Sequence, residues 1–558
     1  MYYGEERFRP IYYLNAANRS DVTKYNREEN HAVYQIWENS VSFVKKIKEH
    51  SFAILAAYNA ERNDGKANLG SIQNIPVDNI KDASLSYPVA QVDQTFGGYE
   101  FRDRLTSILG RVTYDFGSKY LFSAVVRRDG SSKFGSNNLY GYFPSVSAGW
   151  VLTEEGFLKG NNSINFLKLR GSWGVNGNNK IGDFRYVSTI GGGRYYTFGT
   201  NDVLTNGSSP NGLANPDLRW EETSQTNFGF DAKLFRDFSL TVDYFVKKTT
   251  GMLIFVGVPG YSGNGGFDGN IAALENKGLE VELGYKKKIG GFALEFNGNI
   301  ANIVNKITDL GPEKKFITGQ TFSPQGLEIT RTIVGYPIGS FYGYQTDGIF
   351  QNQAAVSNYK NGKSELIQPD AKPGDFKFKD LNGDGKIDAD DRTVIGNPTP
   401  NWTYGFNLNL SFKNFDILFF GQGVWGNQTF KANRRFDIQT ANLTSDALTR
   451  WTGEGTSTTY PRIVFGDPNR NFSRASNFYV EDGAYFRVKT LQLGYTLPIE
   501  LTSKVGIRKL RFYVSGNNLL TVTKYSGFDP EIGGGSFGVD RGIYPQPRFF
   551  LFGVNVGI

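Results

Sequence analysis

The sequence predicts an all-β protein, and more specifically a transmembrane antiparallel up-and-down β-barrel. Apolar and polar residues alternate with a period of two over fifteen segments, and the connections between these segments are alternately short and long. No apolar run approaches the roughly 20 residues that a membrane-spanning helix needs. Any crossing of a membrane would therefore have to be made by strands.

The composition fits one large β structure. The chain has 558 residues, of which 67 are glycine and 15% are aromatic, and it contains no cysteine. The lack of cysteine excludes disulfides, thiolate metal sites and cysteine nucleophiles. The net charge of +7 comes from 61 basic and 54 acidic residues spread along the chain, without a basic run. We therefore expect no nucleic-acid partner.

The stretch 120–152 shows the pattern that the rest of the chain repeats. Two alternating segments flank a polar break at residues 129–132, and Tyr142, Val146 and Trp150 share one face of the second segment. In a soluble sandwich such apolar faces would meet in a common core, whereas in a membrane barrel they would face lipid. Either arrangement fits this pair of strands, so the choice depends on the connections.

The lengths of the connections favour the barrel. Fifteen strands are predicted, at residues 31–46, 51–63, 99–116, 120–130, 141–152, 166–177, 219–234, 237–248, 276–288, 291–304, 403–413, 415–426, 484–496, 508–519 and 546–557. Short turns, as at 235–236 and 414, alternate with long connections, as at 305–402 and 427–483. This parity is typical of an up-and-down membrane barrel, and a sandwich has no reason to keep it.

The same parity makes a prediction about the start of the chain. With all short turns on one side, the first and last predicted strands run in the same direction, so fifteen strands cannot close an even-stranded barrel. We therefore expect an odd number of strands to be missing at the N-terminus. Residues 1–30 are polar and irregular, and we predict a loop or the end of an upstream strand there, with the partial barrel at 31–558.

One segment fits a calcium-binding loop. Residues 380–391 read DLNGDGKIDADD, in which oxygen ligands at alternate positions can converge on a hard cation and Gly385 permits the sharp turn. The predicted ligands are Asp380, Asn382, Asp384, the Lys386 carbonyl, Asp388 and Asp391. The pattern usually has Glu at the last position, and the alternative is an unfilled loop of Asx turns. Bound Ca²⁺ would pin the long 305–402 connection and would not catalyse a reaction.

The sequence contains no pattern of catalytic residues. It has no nucleophile with a neighbouring base, no metal triad and no paired acid and base, so we expect no enzyme activity. Aromatic residues in the long connections could stack on sugar rings or bind peptide side chains, or they could serve loop packing and an interfacial girdle. These aromatic residues are Tyr195, Tyr196, Phe198, Tyr261, Phe267, Tyr342, Tyr344, Phe350 and Trp451. The substrate-binding residues are left unidentified.

From about residue 100 to the C-terminus, an ordered series of motifs resembles the SusC/RagA-type TonB-dependent outer-membrane transporters of Bacteroidetes. Each motif is weak alone, and their order makes the series specific. They are RRDGSSKFG (127–135), FPS (143–145), GW (149–150), NKGLE (276–280), the 380–391 loop, IGNPTP (395–400), RWT (450–452), YPR (460–462), VEDGAYFR (480–487), LGY (493–495), GNNL (516–519) and YPQPR (544–548).

The resemblance implies a multi-pass barrel of about 22 strands around an N-terminal plug in the cell outer membrane. It implies import of oligosaccharides or peptides, with a SusD-like surface lipoprotein over the barrel and TonB acting through the plug. The plug, the TonB box and a signal peptide have no counterpart in this sequence. We therefore expect a C-terminal barrel portion that by itself performs no energised transport.

Two other functions remain open at this stage. A passive porin or a surface adhesin would share the same barrel, with outer-membrane lipid as its surroundings. A soluble calcium-dependent carbohydrate-binding β protein would place its apolar faces in a core instead.

Overall fold

The computed structural model describes residues 2–15, 18–199, 203–259, 261, 263, 265–312, 314–322, 326–433 and 442–558. Parts of the predicted connections at 178–218, 249–275, 305–402 and 427–483 therefore lie outside the described residues. The first fifteen strands are β1 (Tyr2–Arg9), β2 (Tyr12–Asn15), β3 (Asn18–Ser20), β4 (Lys24–Ile47), β5 (His50–Gln73), β6 (Gln94–Phe116), β7 (Tyr120–Ser131), β8 (Tyr140–Val151), β9 (Ile164–Asn178), β10 (Ile190–Phe198), β11 (Val203–Pro210), β12 (Glu221–Leu234), β13 (Phe238–Gly257), β14 (Gly266–Ile289) and β15 (Phe292–Asp309).

The second half of the chain begins with eight short strands, and long strands with a few further short ones follow. Its strands are β16 (Phe316–Thr318), β17 (Thr321–Phe322), β18 (Leu327–Glu328), β19 (Thr330–Ile333), β20 (Ser340–Gly343), β21 (Thr346–Ile349), β22 (Phe376–Phe378), β23 (Thr393–Gly396), β24 (Trp402–Phe412), β25 (Phe415–Trp425), β26 (Gln428–Lys431), β27 (Val480–Asp482), β28 (Tyr485–Thr496), β29 (Lys509–Thr523), β30 (Val539–Asp540) and β31 (Phe549–Gly557). The α-helices are α1 (Gln353–Asn358) and α2 (Ile499–Thr502). Among the described residues, no helix is both long and apolar enough to cross a lipid bilayer.

Within the described residues, sixteen strands hydrogen-bond side by side in one large sheet. Their order is β1, β4, β5, β6, β7, β8, β9, β12, β13, β14, β15, β24, β25, β28, β29 and β31. Neighbours in the sheet follow one another among the long strands of the chain, as an up-and-down topology requires. The predicted fold class is confirmed, and each of the fifteen predicted strands corresponds to one of these.

The sixteenth strand is β1, where the sequence analysis predicted an irregular loop. β1 pairs antiparallel with the start of β4, so that Glu6 lies opposite Arg27 with 3.9 Å between Oε1 and Nε. The irregular-loop alternative is therefore wrong for residues 2–9, because these strands carry charged and polar side chains on both faces and hydrophobic periodicity does not detect them. The other alternative, the end of an upstream strand, stays a prediction. The argument that an odd number of strands is missing depended on fifteen strands and loses its basis.

The chain divides into two compact units. Unit 1 comprises Met1–Ala148, Trp173–Ser224 and Thr250–Asn270, and unit 2 comprises Gly149–Ser172, Gln225–Thr249 and Ile271–Ile558.

In unit 1, the RRDGSSKFG motif holds a small core beneath a connection. Phe134 is buried against Trp220, with ring centroids 4.8 Å apart, and Leu218 belongs to the same cluster. Arg127 Nε donates to both carboxylate oxygens of the buried Asp129 at 2.7 and 2.8 Å. The motif therefore packs the connection between β7 and β8 against residues 218–220.

In unit 2, one face of the large sheet is apolar and uncovered. Antiparallel partners share a face, and the ladder places Phe296 opposite Leu408, Leu408 opposite Phe419 and Phe419 opposite Leu491. At the end of the same face, Phe415 is 61% exposed. A soluble sandwich would cover this face with a second layer, and the described residues of unit 2 provide none, because many of the apolar side chains on it are exposed.

The long connections of unit 2 pack on one another. We call residues 310–401, 426–484 and 524–548 the long-connection layer. Its largest buried cluster takes Phe322 and Phe341 from the first connection, Phe430 from the second and Val539 from the third. β26 pairs in parallel with β30, so the second and third connections also share backbone hydrogen bonds.

A buried ion pair joins the first two connections of this layer. Asp375 is 0% exposed, and Arg462 donates to both of its carboxylate oxygens, Nε to Oδ1 at 2.7 Å and Nη2 to Oδ2 at 2.9 Å. Asn471 Nδ2 donates to Oδ1 at 2.8 Å, and the Lys372 amide donates to Oδ2 at 2.8 Å. Four donors therefore satisfy one buried carboxylate, as burial of a charge requires.

We predict that Asp375→Ala weakens the long-connection layer by about 3–5 kcal/mol, because it leaves the Arg462 guanidinium and the Asn471 amide without their acceptor. The matched control is Asp347→Ala, which breaks the exposed 2.7 Å pair with Lys377 and should cost at most about 1 kcal/mol. Hydrogen exchange of the backbone amides at 368–378, followed by mass spectrometry, measures the loss of stability in both variants. Equal exchange in the two variants would contradict the prediction.

Candidate functional site

The predicted calcium loop lies in the long-connection layer between β22 and β23. It begins at Asp380, whose Oδ1 accepts from the Gly383 amide at 2.7 Å and whose Oδ2 accepts from the Gly385 amide at 2.8 Å. Gly383 and Gly385 have φ of +76° and +88°, a region that favours glycine. The two glycines therefore allow the chain to fold around the first carboxylate.

The middle of the loop is a chain of Asx turns. Asn382 Oδ1 accepts from the Asp384 amide at 3.0 Å, and Asp384 Oδ1 accepts from the Lys386 amide at 3.1 Å. Lys386 Nζ lies 2.5 Å from Asp388 Oδ2 and 3.5 Å from Asp384 Oδ2. The hydrogen bond from Lys386 holds the pKa of the Asp388 carboxyl below its usual range, so this carboxyl is ionised at neutral pH.

The loop ends in a capped helical turn with a buried carboxylate. Asp388 Oδ1 accepts from the Asp390 amide at 2.9 Å, and Asp391 Oδ2 accepts from the Asp388 amide at 2.8 Å. Asp391 is buried, and its Oδ1 reaches back to the Leu381 amide at 2.7 Å. The last predicted ligand thus closes the loop onto its second residue.

The structure brings all six predicted ligand residues into one loop, with the acidic and amide oxygens turned toward the loop backbone. Among the described residues, no three His, Cys, Asp or Glu side chains are placed to hold a metal ion. The hydrogen bonds are those of the Asx-turn alternative. Each carboxylate oxygen has more than one acceptor position, so these bonds do not use up its capacity, and calcium binding stays a prediction.

Two arginines that support the loop were not found by sequence reasoning. Arg474 Nη2 donates to the Ile387 carbonyl at 3.3 Å, with its guanidinium 4.8 Å from the Phe378 ring centroid, and burial lowers its pKa. Arg392 Nη2 donates to the Glu328 carbonyl at 2.7 Å. These contacts join distant segments, and no local sequence pattern signals them.

The Glu328 carboxylate is the charged partner at this edge of the loop. It forms an ion pair with Arg331, Nη2 to Oε2 at 2.5 Å, and lies 3.5 Å from Arg392 Nη1. Burial raises the pKa of Glu328, but hydrogen bonding and charge from the two arginines outweigh burial and leave the pKa below its ordinary value. The negative charge of Glu328 at the edge of the loop is therefore compensated by the two arginines.

Eight of the nine aromatic residues that the sequence predicted as possible substrate contacts fall into two groups. Four lie inside the long-connection layer with packing or hydrogen-bond partners: Tyr342, Tyr344, Phe350 and Trp451. Four lie in unit 1 with large exposed surfaces: Tyr195, Tyr196, Phe198 and Tyr261. Phe267, also in unit 1, is half-buried. The first group serves loop packing, and substrate contact stays open for the second.

The chain is similar to known receptor proteins over nearly its full length. A family model described as TonB dependent receptor-like, beta-barrel matches residues 2–519. TonB-dependent receptor P3 of Formosa agariphila is 33% identical over 565 residues, covering 99% of this chain and 54% of that protein. TonB-dependent receptor SusC of Bacteroides thetaiotaomicron is 28% identical over 556 residues, covering 96% of this chain and 50% of that protein.

A solved structure gives the same result. The RagAB peptide transporter matches with a TM-score of 0.80 and 25% identity, covering 99% of this chain and 58% of that chain. The present chain spans about half the length of the curated relatives it matches. The resemblance to SusC/RagA-type proteins is confirmed, and the chain belongs to the TonB-dependent receptor-like β-barrel family.

Proposed function

We propose that this chain supplies barrel wall to an importer that takes up oligomeric nutrients, peptides or oligosaccharides, across the outer membrane. The observation that carries the proposal is the uncovered apolar face of unit 2, described above. Such a face is stable against lipid and unstable against water. Membership of the receptor family supports a transport role, and it also supports the expectation that the chain is not an enzyme.

The opposite face of the same strands supports a wet interior. In the ladder Glu295 lies opposite Asn409, and Asn297 lies opposite Asn407. Asp416 forms a bidentate pair with Arg511, with nitrogen to oxygen distances of 2.8 and 2.5 Å. Polar and charged side chains of this kind line the lumen of membrane barrels.

The relatives support a proposal for the cargo and the partners. The RagAB structure is that of a peptide transporter, which favours peptides. Oligosaccharides, the other cargo that the resemblance to SusC/RagA-type transporters implies, are the second candidate. A SusD-like surface lipoprotein would cover the barrel, and TonB would supply the energy through the plug of the complete transporter. A passive porin would share the barrel and differ in its need for energy, whereas the uncovered apolar face argues against a soluble protein.

We predict that deleting the gene that carries this chain abolishes uptake of a fluorescently labelled casein peptide digest. Uptake in the parent strain should stop when a protonophore collapses the proton-motive force, because TonB depends on it. A labelled starch hydrolysate tests the second cargo class. Glucose uptake is the control, and the deletion should leave it unchanged. Uptake that persists with the protonophore would identify a passive porin instead, and unchanged uptake of both oligomers on deletion would refute import.

We also propose that the 380–391 loop binds Ca²⁺. Support comes from its oxygen donors within twelve residues and from the positive φ of Gly385 at the sharp turn. The cation would join the two ends of the loop, where Asp391 already bonds the Leu381 amide. Ca²⁺ would then stabilise the first connection of the long-connection layer.

We predict that Ca²⁺ at a hundred times its Kd raises the free energy of unfolding of the layer by about 2.7 kcal/mol, since it binds only the folded loop. Thermal unfolding of the full chain in detergent, with Ca²⁺ or with chelator, measures this. Asp384→Ala should remove most of the effect, and Asp370→Ala, at an exposed acid ahead of the loop, should retain it. Wild-type unfolding that is indifferent to Ca²⁺ would identify a plain Asx-turn loop.

A further inference from the structure

We propose that the connection between β28 and β29, residues 497–508, is a lipid-binding segment. Its apolar side chains enter the boundary between acyl chains and headgroups, and its basic side chains bind anionic glycerophospholipid headgroups of the leaflet that the short turns face. This inference rests on the membrane location in the proposed function and concerns a surface that transport does not use.

The register of unit 2 places this connection just beyond a row of aromatic side chains. Phe292 lies opposite Phe412, Phe412 opposite Phe415 and Phe415 opposite Tyr495. Tyr495 lies opposite Phe512 in turn. Aromatic girdles mark the edges of the apolar band in membrane barrels, so residues beyond this row lie at the level of the headgroups.

The connection is an ordered structure with exposed apolar side chains. Its ends are closed by the Leu497 amide, which donates to the Leu510 carbonyl at 2.8 Å. Ile499 and Leu501 in α2 are each 57% exposed, and Val505 in the following turn is 72% exposed. Thr502, between them, is buried and anchors the segment. Three apolar side chains held outward in a fixed turn are unfavourable in water and favourable in the interface.

Charge complementarity identifies the headgroups. Lys504 and Arg508 are exposed in this connection, and neither forms an ion pair within the described part of the chain. The acidic side chains nearby are Glu500, which is exposed, and Asp416, which is paired with Arg511. The excess of positive charge beside an apolar surface fits a bilayer with anionic lipid.

The neighbouring turn adds to the same surface. Lys413 lies between Phe412 and Phe415 in the β24–β25 turn, with its ammonium 5.4 Å from the Phe412 ring centroid. Short turns face the periplasm in barrels of this class, and the leaflet on that side is made of glycerophospholipids. We therefore commit to an anionic glycerophospholipid rather than to lipopolysaccharide.

Depth measurements test the apolar half of the proposal. The chain has no cysteine, so Val505→Cys in the full chain can carry a single environment-sensitive NBD fluorophore in vesicles of phosphatidylethanolamine and phosphatidylglycerol. We expect blue-shifted emission that spin-labelled lipid quenches. Phe415→Cys, in the girdle, should behave likewise, and Phe465→Cys, exposed in the long-connection layer, should show water-like emission.

The three positions separate the possible failures. Water-like emission at position 505 with a lipid signal at position 415 overturns the present inference and leaves the membrane location intact. Water-like emission at both positions overturns the membrane location as well.

Lipid titration tests the basic half. We expect phosphatidylglycerol to raise the Tm of the detergent-solubilised full chain, with half-saturation shifted about 25-fold in K504Q/R508Q, since each charge near an anionic surface contributes about fivefold. The matched control K360Q/K363Q removes two exposed charges from the long-connection layer and should titrate like the wild type. Equal titration of the two double variants, or a larger Tm rise with lipid A than with phosphatidylglycerol, would refute the proposal.

Discussion

The backbone hydrogen-bond ladder of the large sheet is the interaction on which the rest of this structure depends. A strand in hydrocarbon has no water to satisfy its amides and carbonyls, so its neighbours must do so. The ladder also fixes the register, and a slip of one residue would exchange the two faces. With Phe296 opposite Leu408 and Asn297 opposite Asn407, one register gives both an apolar face and a polar one.

The long-connection layer obeys a different rule, because it must bury polar groups without the regularity of a ladder. Its solution is to surround single charges with several donors, as at Asp375. Side-chain amides extend this principle to the backbone, since Gln368 Oε1 accepts from the Phe378 amide at 2.8 Å. The layer is therefore held together by specific hydrogen-bonded pairs, and these pairs also fix the position of the 380–391 loop.

Sequence reasoning predicted what depends on local periodicity. The alternation at 238–246 and the short turn before it place β12 and β13 correctly, because one apolar face leaves a period-two signal. It missed β1 and the first residues of β4, where charged pairs replace apolar ones. The calcium-loop motif predicted a turn that the structure contains, and its spacing alone cannot show whether a cation binds.

The contacts that hold the candidate site were beyond local patterns. Arg462 belongs to one of the motifs that carry the family resemblance. No local sequence pattern, however, identifies Asp375 as its partner. Arg474 is equally remote from the Ile387 carbonyl that it contacts. Such pairs form because one connection packs on another. A single sequence gives the residues of each connection but not their neighbours in space.

The parallel pairing of β26 with β30 has a consequence for the order of folding. Phe430 and Val539 meet although β28 and β29 lie between them in the chain, so closing that long loop is entropically costly until those strands are in place. We therefore expect the strand ladder to assemble first and bring the connections together, and the layer to form last.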